Sequence, residues 1–222
     1  MAVMTDSADL TLDEIRVLLA PAIAENAAFD GWGAAARDMA AEMNGIDRDV
    51  AALAFPGGAV DMIDAWFASV DAAMLVTLPP ERLAAMKIRQ RITALVEARL
   101  AATAPHREAL RRALAILAMP QNVATAAKLG WRSVDTMWRA AGDVAADYNH
   151  YTKRAMLFAV YGATVTVFLD DESEDHAETR AFLARRIDGI MRFEKAKAGI
   201  TRRAQRRPSL TRFVGRLRYP VV

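Results

Sequence analysis

Fifteen consecutive residues, Ala155–Leu169, carry no charge. A helix that is apolar all round must be buried, so this run is expected to be enclosed by other elements. Val165, Thr166, Val167 and Phe168 favour extended backbone locally, but the run is too long for one strand. Helix over Tyr148–Leu169 is therefore the reading. The run also falls short of the roughly twenty residues that cross a bilayer. Just before it, DYNHYTKR (147–154) crowds acid, amide, rings and bases together. A buried helix thus emerges at a polar, aromatic surface, as at the mouth of a cavity or at a partner face.

The rest of the chain also reads as helix, without alternating strands. At 54% hydrophobic and only 7% aromatic, it favours helices over sheets. Thr11 with Glu14 three residues on forms a capping box for a helix over Thr11–Ala28. FDGWG (29–33) is a turn. Ala34–Met43 follows, and Asp47 caps a third helix that ends at Phe55, because Pro56 and Gly57-Gly58 cannot continue it. Ala59–Leu78 leads to the Pro79-Pro80 break. Glu81–Thr103, Arg107–Ala118, Gln121–Leu129, Ser133–Ala141, Tyr148–Leu169 and Glu174–Lys197 complete the set.

Charge divides the chain. Residues 1–78 carry thirteen acids and three bases, a net of −10, whereas residues 195–222 carry nine bases and no acid. The basic pI belongs to the tail and not to the body. There is no Cys, which excludes disulfides, thiolate metal sites and a Cys nucleophile. The N-terminus has no base before Arg16, so it is read as neither a secretory signal nor a transit peptide.

Three short helices followed by long ones resemble the plan of TetR-type regulators. The fold class is therefore all-α, a TetR-regulator-like bundle with a degenerate helix-turn-helix head and a C-terminal amphipathic helix. The divisions are 1–78 for the head, 79–198 for the body and 199–222 for the tail. A recognition helix needs bases to meet phosphates. IDRDVAALAF offers Arg48 between Asp47 and Asp49, in a head of net −10, which argues against a DNA interface.

Several blocks in order, FDGW (29–32), LAFPGGAVDMI (53–63), MKIRQRITALVEARL (86–100), GWRSVDTMWRAAGD (130–143), DYNHYTKRAMLFAVYGATVTVFLDDES (147–173) and FLARRI (182–187), resemble the family of the ninth Coq protein of ubiquinone biosynthesis. The resemblance implies a dimeric, non-enzymatic protein without cofactor. It implies a cavity for an isoprenoid quinone or phospholipid, and delivery to the demethoxyubiquinone hydroxylase at a membrane. The family's partner motif, Asp-x-Asn-Trp-Tyr, maps onto Asp147, Asn149, His150 and Tyr151, with His150 in place of the Trp. Arg154 shares the face of Asp147 and Tyr151 and joins them as a docking residue.

Lipid-lining candidates are Trp131, Met137 and Trp138, with the stripe Met156, Val160 and Ala163 and the neighbouring Phe168. Spacing leaves open which stripe of this helix faces a cavity. In the tail, Leu210, Phe213, Val214 and Leu217 follow helical spacing, with Arg212 and Arg216 off the stripe. That is the pattern of an interfacial helix and points to peripheral attachment at the inner face of the cytoplasmic membrane.

Catalytic signals are weak. His106, His150 and His176 are the three histidines, and no Glu-x-x-His, HExxH, P-loop or GxGxxG is present. No metal site is expected. The alternative reading is a TetR-like regulator that senses an apolar ligand.

Overall fold

The computed structural model of the chain describes residues 10–143 and 148–205, with side chains described for 10–143, 150–190 and 192. Asp147 and the tail residues Leu210, Arg212, Phe213, Val214, Arg216 and Leu217 lie outside the described residues, as does the Asn149 side chain. Every regular element described is helical: α1 (Leu12–Asp30), α2 (Ala34–Met43), α3 (Arg48–Ala54), α4 (Ala59–Thr77), α5 (Pro80–Ala84), α6 (Ile88–Thr103), α7 (Arg107–Leu117), α8 (Val123–Ala140), α9 (Tyr148–Asp170) and α10 (Ala177–Gln205). Among the described residues, those through Leu183 form one compact unit, and those from Ala184 to Gln205 a second.

The head is built as its punctuation predicts. Thr11 and Glu14 bond reciprocally at the start of α1, and Asp47 accepts from the Asp49 and Val50 amides at the start of α3. After α3 the backbone turns at Gly58, whose φ of 62° suits glycine. Trp32, from the FDGW turn, is buried and donates its indole N–H to the Ala109 carbonyl of α7 over 2.9 Å. Its ring lies 5.3 Å from that of Trp66 in α4. Trp32 thereby ties the turn after α1 to α7 and α4. Arg48, the base of the candidate recognition helix, pairs with Glu42 at 2.7 Å.

Two expected helix boundaries differ. The helix expected over Glu81–Thr103 is divided into α5 and α6. Arg91 explains the division: its guanidinium donates to the carbonyls of Ala84, Met86 and Ala141, so a side chain takes over acceptors that a continuous helix would have used. Conversely, the two short helices expected around Gly130 are one, α8. Gly130 does not break α8; a Cβ there would meet Phe158 Cε2 at 2.4 Å, so the missing side chain admits the α9 ring.

The uncharged run is helical, but it is not enclosed on all sides. Leu157, Tyr161, Thr164, Val165 and Phe168 face the core, whereas Ala155, Phe158, Ala159, Gly162, Ala163 and Thr166 are exposed. The outward face consists mostly of small residues, whose exposure costs little apolar area. No helix among the described residues is long and apolar enough to cross a membrane.

Candidate functional site

Between α7, α8 and α9, above α4 and α6, lies a groove of about 550 Å³. That is within the range of roughly 300–1,000 Å³ usual for small-molecule sites. Leu110, Leu114 and Leu117 of α7 and Val165 of α9 supply apolar wall. Phe158 and the exposed Val123 stand at the surface side. Gly130 and Gly162 also line it, and their lack of side chains leaves the space open.

The floor is polar. Arg99 of α6, 2% exposed, donates through Nε to Asp71 Oδ1 at 2.6 Å, through one terminal nitrogen to Ser133 Oγ at 3.1 Å, and through the other to the Tyr161 hydroxyl. Ser133 donates onward to Asp71 Oδ2 at 2.9 Å. The guanidinium carbon lies 5.2 Å from the ring centres of both Phe67 and Tyr161, so two aromatic faces share the cation. Burial opposes the Arg99 charge, but the pull of Tyr161 and Asp71 outweighs it and raises the pKa. Burial likewise pushes the Tyr161 phenol up, so it stays a neutral hydroxyl. Arg99, Ser133, Tyr161 and Phe67 all line the groove.

None of this floor was singled out from the sequence, yet a signal exists. Asp71 falls on the buried stripe of α4 with Phe67 and Met74, and Arg99 on that of α6 with Ile92, Leu95 and Val96. One acid and one base, each alone on an apolar face, is the pattern of a buried pair.

The lipid candidates fall elsewhere. Met137, Trp138 and Phe168 are buried in the core, Trp131, Met156 and Val160 are half-buried, and Ala163 is exposed; none of the seven lines this groove. The groove is faced by Phe158, Tyr161, Gly162, Val165 and Thr166 instead.

The docking candidates separate as well. Tyr151 is 63% exposed, with the His150 ring edge-on at 5.0 Å and the Trp131 ring stacked at 6.4 Å. Arg154 is 1% exposed and points inward, donating to Asp135 at 2.6 Å, to Asp143 at 3.1 Å and to the His150 carbonyl. Lys153 binds the other Asp143 oxygen at 2.9 Å. Burial works against the Asp143 carboxylate, but Lys153 and Arg154 outweigh it and hold its pKa low. Arg154 is thus a brace beneath the aromatic face and not part of its surface.

The same helices carry the likeness to known proteins. Residues 123–194, which comprise α8, α9 and part of α10, match the sequence model of the COQ9 family. Over this segment the chain is similar to the COQ9 family. The human mitochondrial ubiquinone biosynthesis protein COQ9 is 43% identical over 96 residues, 43% of this chain and 30% of that protein. The mitochondrial COQ9 of Drosophila melanogaster is 27% identical over 193 residues, 85% of this chain and 59% of that protein. The chain therefore spans less than two thirds of these COQ9 relatives. Among solved structures, a TetR transcriptional regulator from Nitrosomonas europaea superposes with a TM-score of 0.64 at 24% identity, covering 78% of this chain and 96% of that one. The all-α, TetR-like fold is thereby established. Neither COQ9 relative carries an enzyme name.

Proposed function

We propose that this chain is a non-catalytic accessory protein of ubiquinone biosynthesis that holds an isoprenoid quinone-type lipid in the groove between α7, α8 and α9. It presents that lipid to the demethoxyubiquinone hydroxylase. The observation that carries the reading is the groove itself: an apolar trough with a polar floor, built in large part from helices of the COQ9-matching segment. The exposed Tyr151 ring and the half-buried His150 beside it, together with Asp147 and Asn149, form the docking edge for the hydroxylase. Tyr is enriched at binding hot spots because it brings a rigid ring and a hydroxyl at low entropic cost. The protein acts as a homodimer, peripheral at the inner face of the cytoplasmic membrane, which it meets through the amphipathic stretch Leu210–Leu217. A phospholipid is the other occupant the groove admits. A regulator reading has the fold alone behind it, and the pairing of Arg48 with Glu42 weakens it further.

The reading is tested by organic extraction and native mass spectrometry of the purified full chain. A quinone or phospholipid carried at near one per chain is the expected result. Repeated absence of any lipid, with no uptake from quinone-loaded vesicles, would overturn it.

A further inference from the structure

The floor of the groove has a specific hydrogen-bonding capacity. The Tyr161 oxygen accepts from Arg99, which leaves its own proton to be donated. Asp71 is already engaged at both oxygens, Oδ1 by Arg99 and Oδ2 by Ser133. The Leu110, Leu114, Leu117 and Val165 side chains around the groove hold no acceptor. A neutral acceptor on a ligand in the groove can take that proton.

Charge narrows the class of that atom. Arg99 is neutralised by a carboxylate at 2.6 Å and is bonded through all three nitrogens. A carboxylate or phosphate placed here would therefore meet Asp71 as well as Arg99, with no net positive charge to balance its desolvation. A neutral oxygen incurs no such penalty and still takes the Tyr161 proton.

Resting on the reading that this groove takes an apolar ligand, we propose that Tyr161 is its specificity-determining donor. It hydrogen-bonds a neutral oxygen acceptor, of the quinone, ketone or aryl ether class, on a ligand that enters ring first. The neutralised Arg99–Asp71 pair disfavours an anionic group at the floor. The ring rests on the floor at Tyr161, Ser133 and Phe67, and the hydrocarbon chain leaves past Phe158 and Val123.

Calorimetric titration of the full chain with three probes tests this: decylubiquinone, decylbenzene, which has a similar ring and chain without oxygen, and oleate. Wild type is expected to bind decylubiquinone about 10-fold more tightly than either of the others. Tyr161→Phe is expected to abolish the preference over decylbenzene and to leave decylbenzene affinity unchanged. Oleate binding as tightly as decylubiquinone, or a preference that survives Tyr161→Phe, would overturn the proposal while the lipid-binding reading stands. Failure of all three probes to bind wild type would instead remove the lipid-binding reading and this proposal with it. The wild-type ranking needs no variant: lack of a preference for decylubiquinone overturns the proposal even if Tyr161→Phe folds poorly.

Discussion

Arg99 and Asp71, 28 residues apart on α6 and α4, meet side by side with N–O at 2.6 Å and both side chains buried. Removing one member of such a pair strands the other charge in the core, at a cost of about 3–5 kcal/mol. Replacing both by apolar residues avoids that penalty. Asp71→Ala is therefore expected to lose about 3–5 kcal/mol in urea unfolding. The Asp71→Leu/Arg99→Met double variant should lose much less. Equal losses in the two chains would count against a stranded charge as the cause.

The contrast between Arg154 and Tyr151 makes a second prediction. Arg154 joins Asp135 and Asp143 beneath the surface, so Arg154→Ala should cost about 3–5 kcal/mol of stability by leaving those carboxylates partly unpaired. Tyr151→Ala removes an exposed ring with one stacked neighbour, and is expected to cost about 1 kcal/mol or less. Binding reverses the order. In its proposed docking role, Tyr151→Ala is expected to weaken association with the hydroxylase at least about 10-fold, as loss of an interface anchor does. Melting curves and surface-binding measurements on the two variants separate the roles.

Gly130 offers a third. An alanine there would gain about 1 kcal/mol of helix propensity in α8. It would also drive a methyl into the Phe158 ring, 2.4 Å from the nearest ring carbon, and overpacking costs about 1–3 kcal/mol. The expected outcome is a net loss of up to about 2 kcal/mol. Combining Gly130→Ala with Phe158→Leu should recover it, since the steric conflict goes and the propensity gain stays. Thermal melts of the two single variants and the double variant measure this coupling.

Much of the architecture was legible because it rests on local chemistry. The Thr11–Glu14 box, the Asp47 cap and the FPGG stop act within a turn or two of chain, and each formed where its residues stood. The break between α5 and α6 depends on Arg91 reaching the Ala141 carbonyl, 50 residues away, and no local pattern carries that. The continuity of α8 through Gly130 likewise depends on Phe158, on another helix. Absence of charge over Ala155–Leu169 was read as burial on every side, yet alanine and glycine are as much at home on an exposed face. Spacing leaves the inward stripe open, and burial picks out Leu157, Tyr161 and Phe168, one helical position away from Met156, Val160 and Ala163. Residue type puts Tyr151 and Arg154 forward together as docking candidates; exposure, which type does not carry, separates them.

A fourth prediction concerns pH and the turn between α9 and α10. Asp171 is buried and accepts hydrogen bonds at both oxygens: Oδ1 from the Ser173 amide and hydroxyl, Oδ2 from the Thr179 amide and hydroxyl. Burial alone would raise its pKa. These four donors outweigh burial and hold the carboxyl well below its ordinary value of 3.8. A folded-state pKa below the unfolded one means that the unfolded chain binds the proton more readily. The stability Asp171 contributes is thus fully present above the unfolded value and is lost as pH falls through it toward the folded pKa. Asp171→Asn cannot titrate and cannot accept at both positions, so it should be less stable at neutral pH. Its stability should also fall less steeply than wild type below about pH 4, where the unfolded aspartate begins to take up its proton. Urea unfolding of both chains at a series of pH values from 7 down to 3 measures the difference. Parallel curves would show that Asp171 is not the group that titrates.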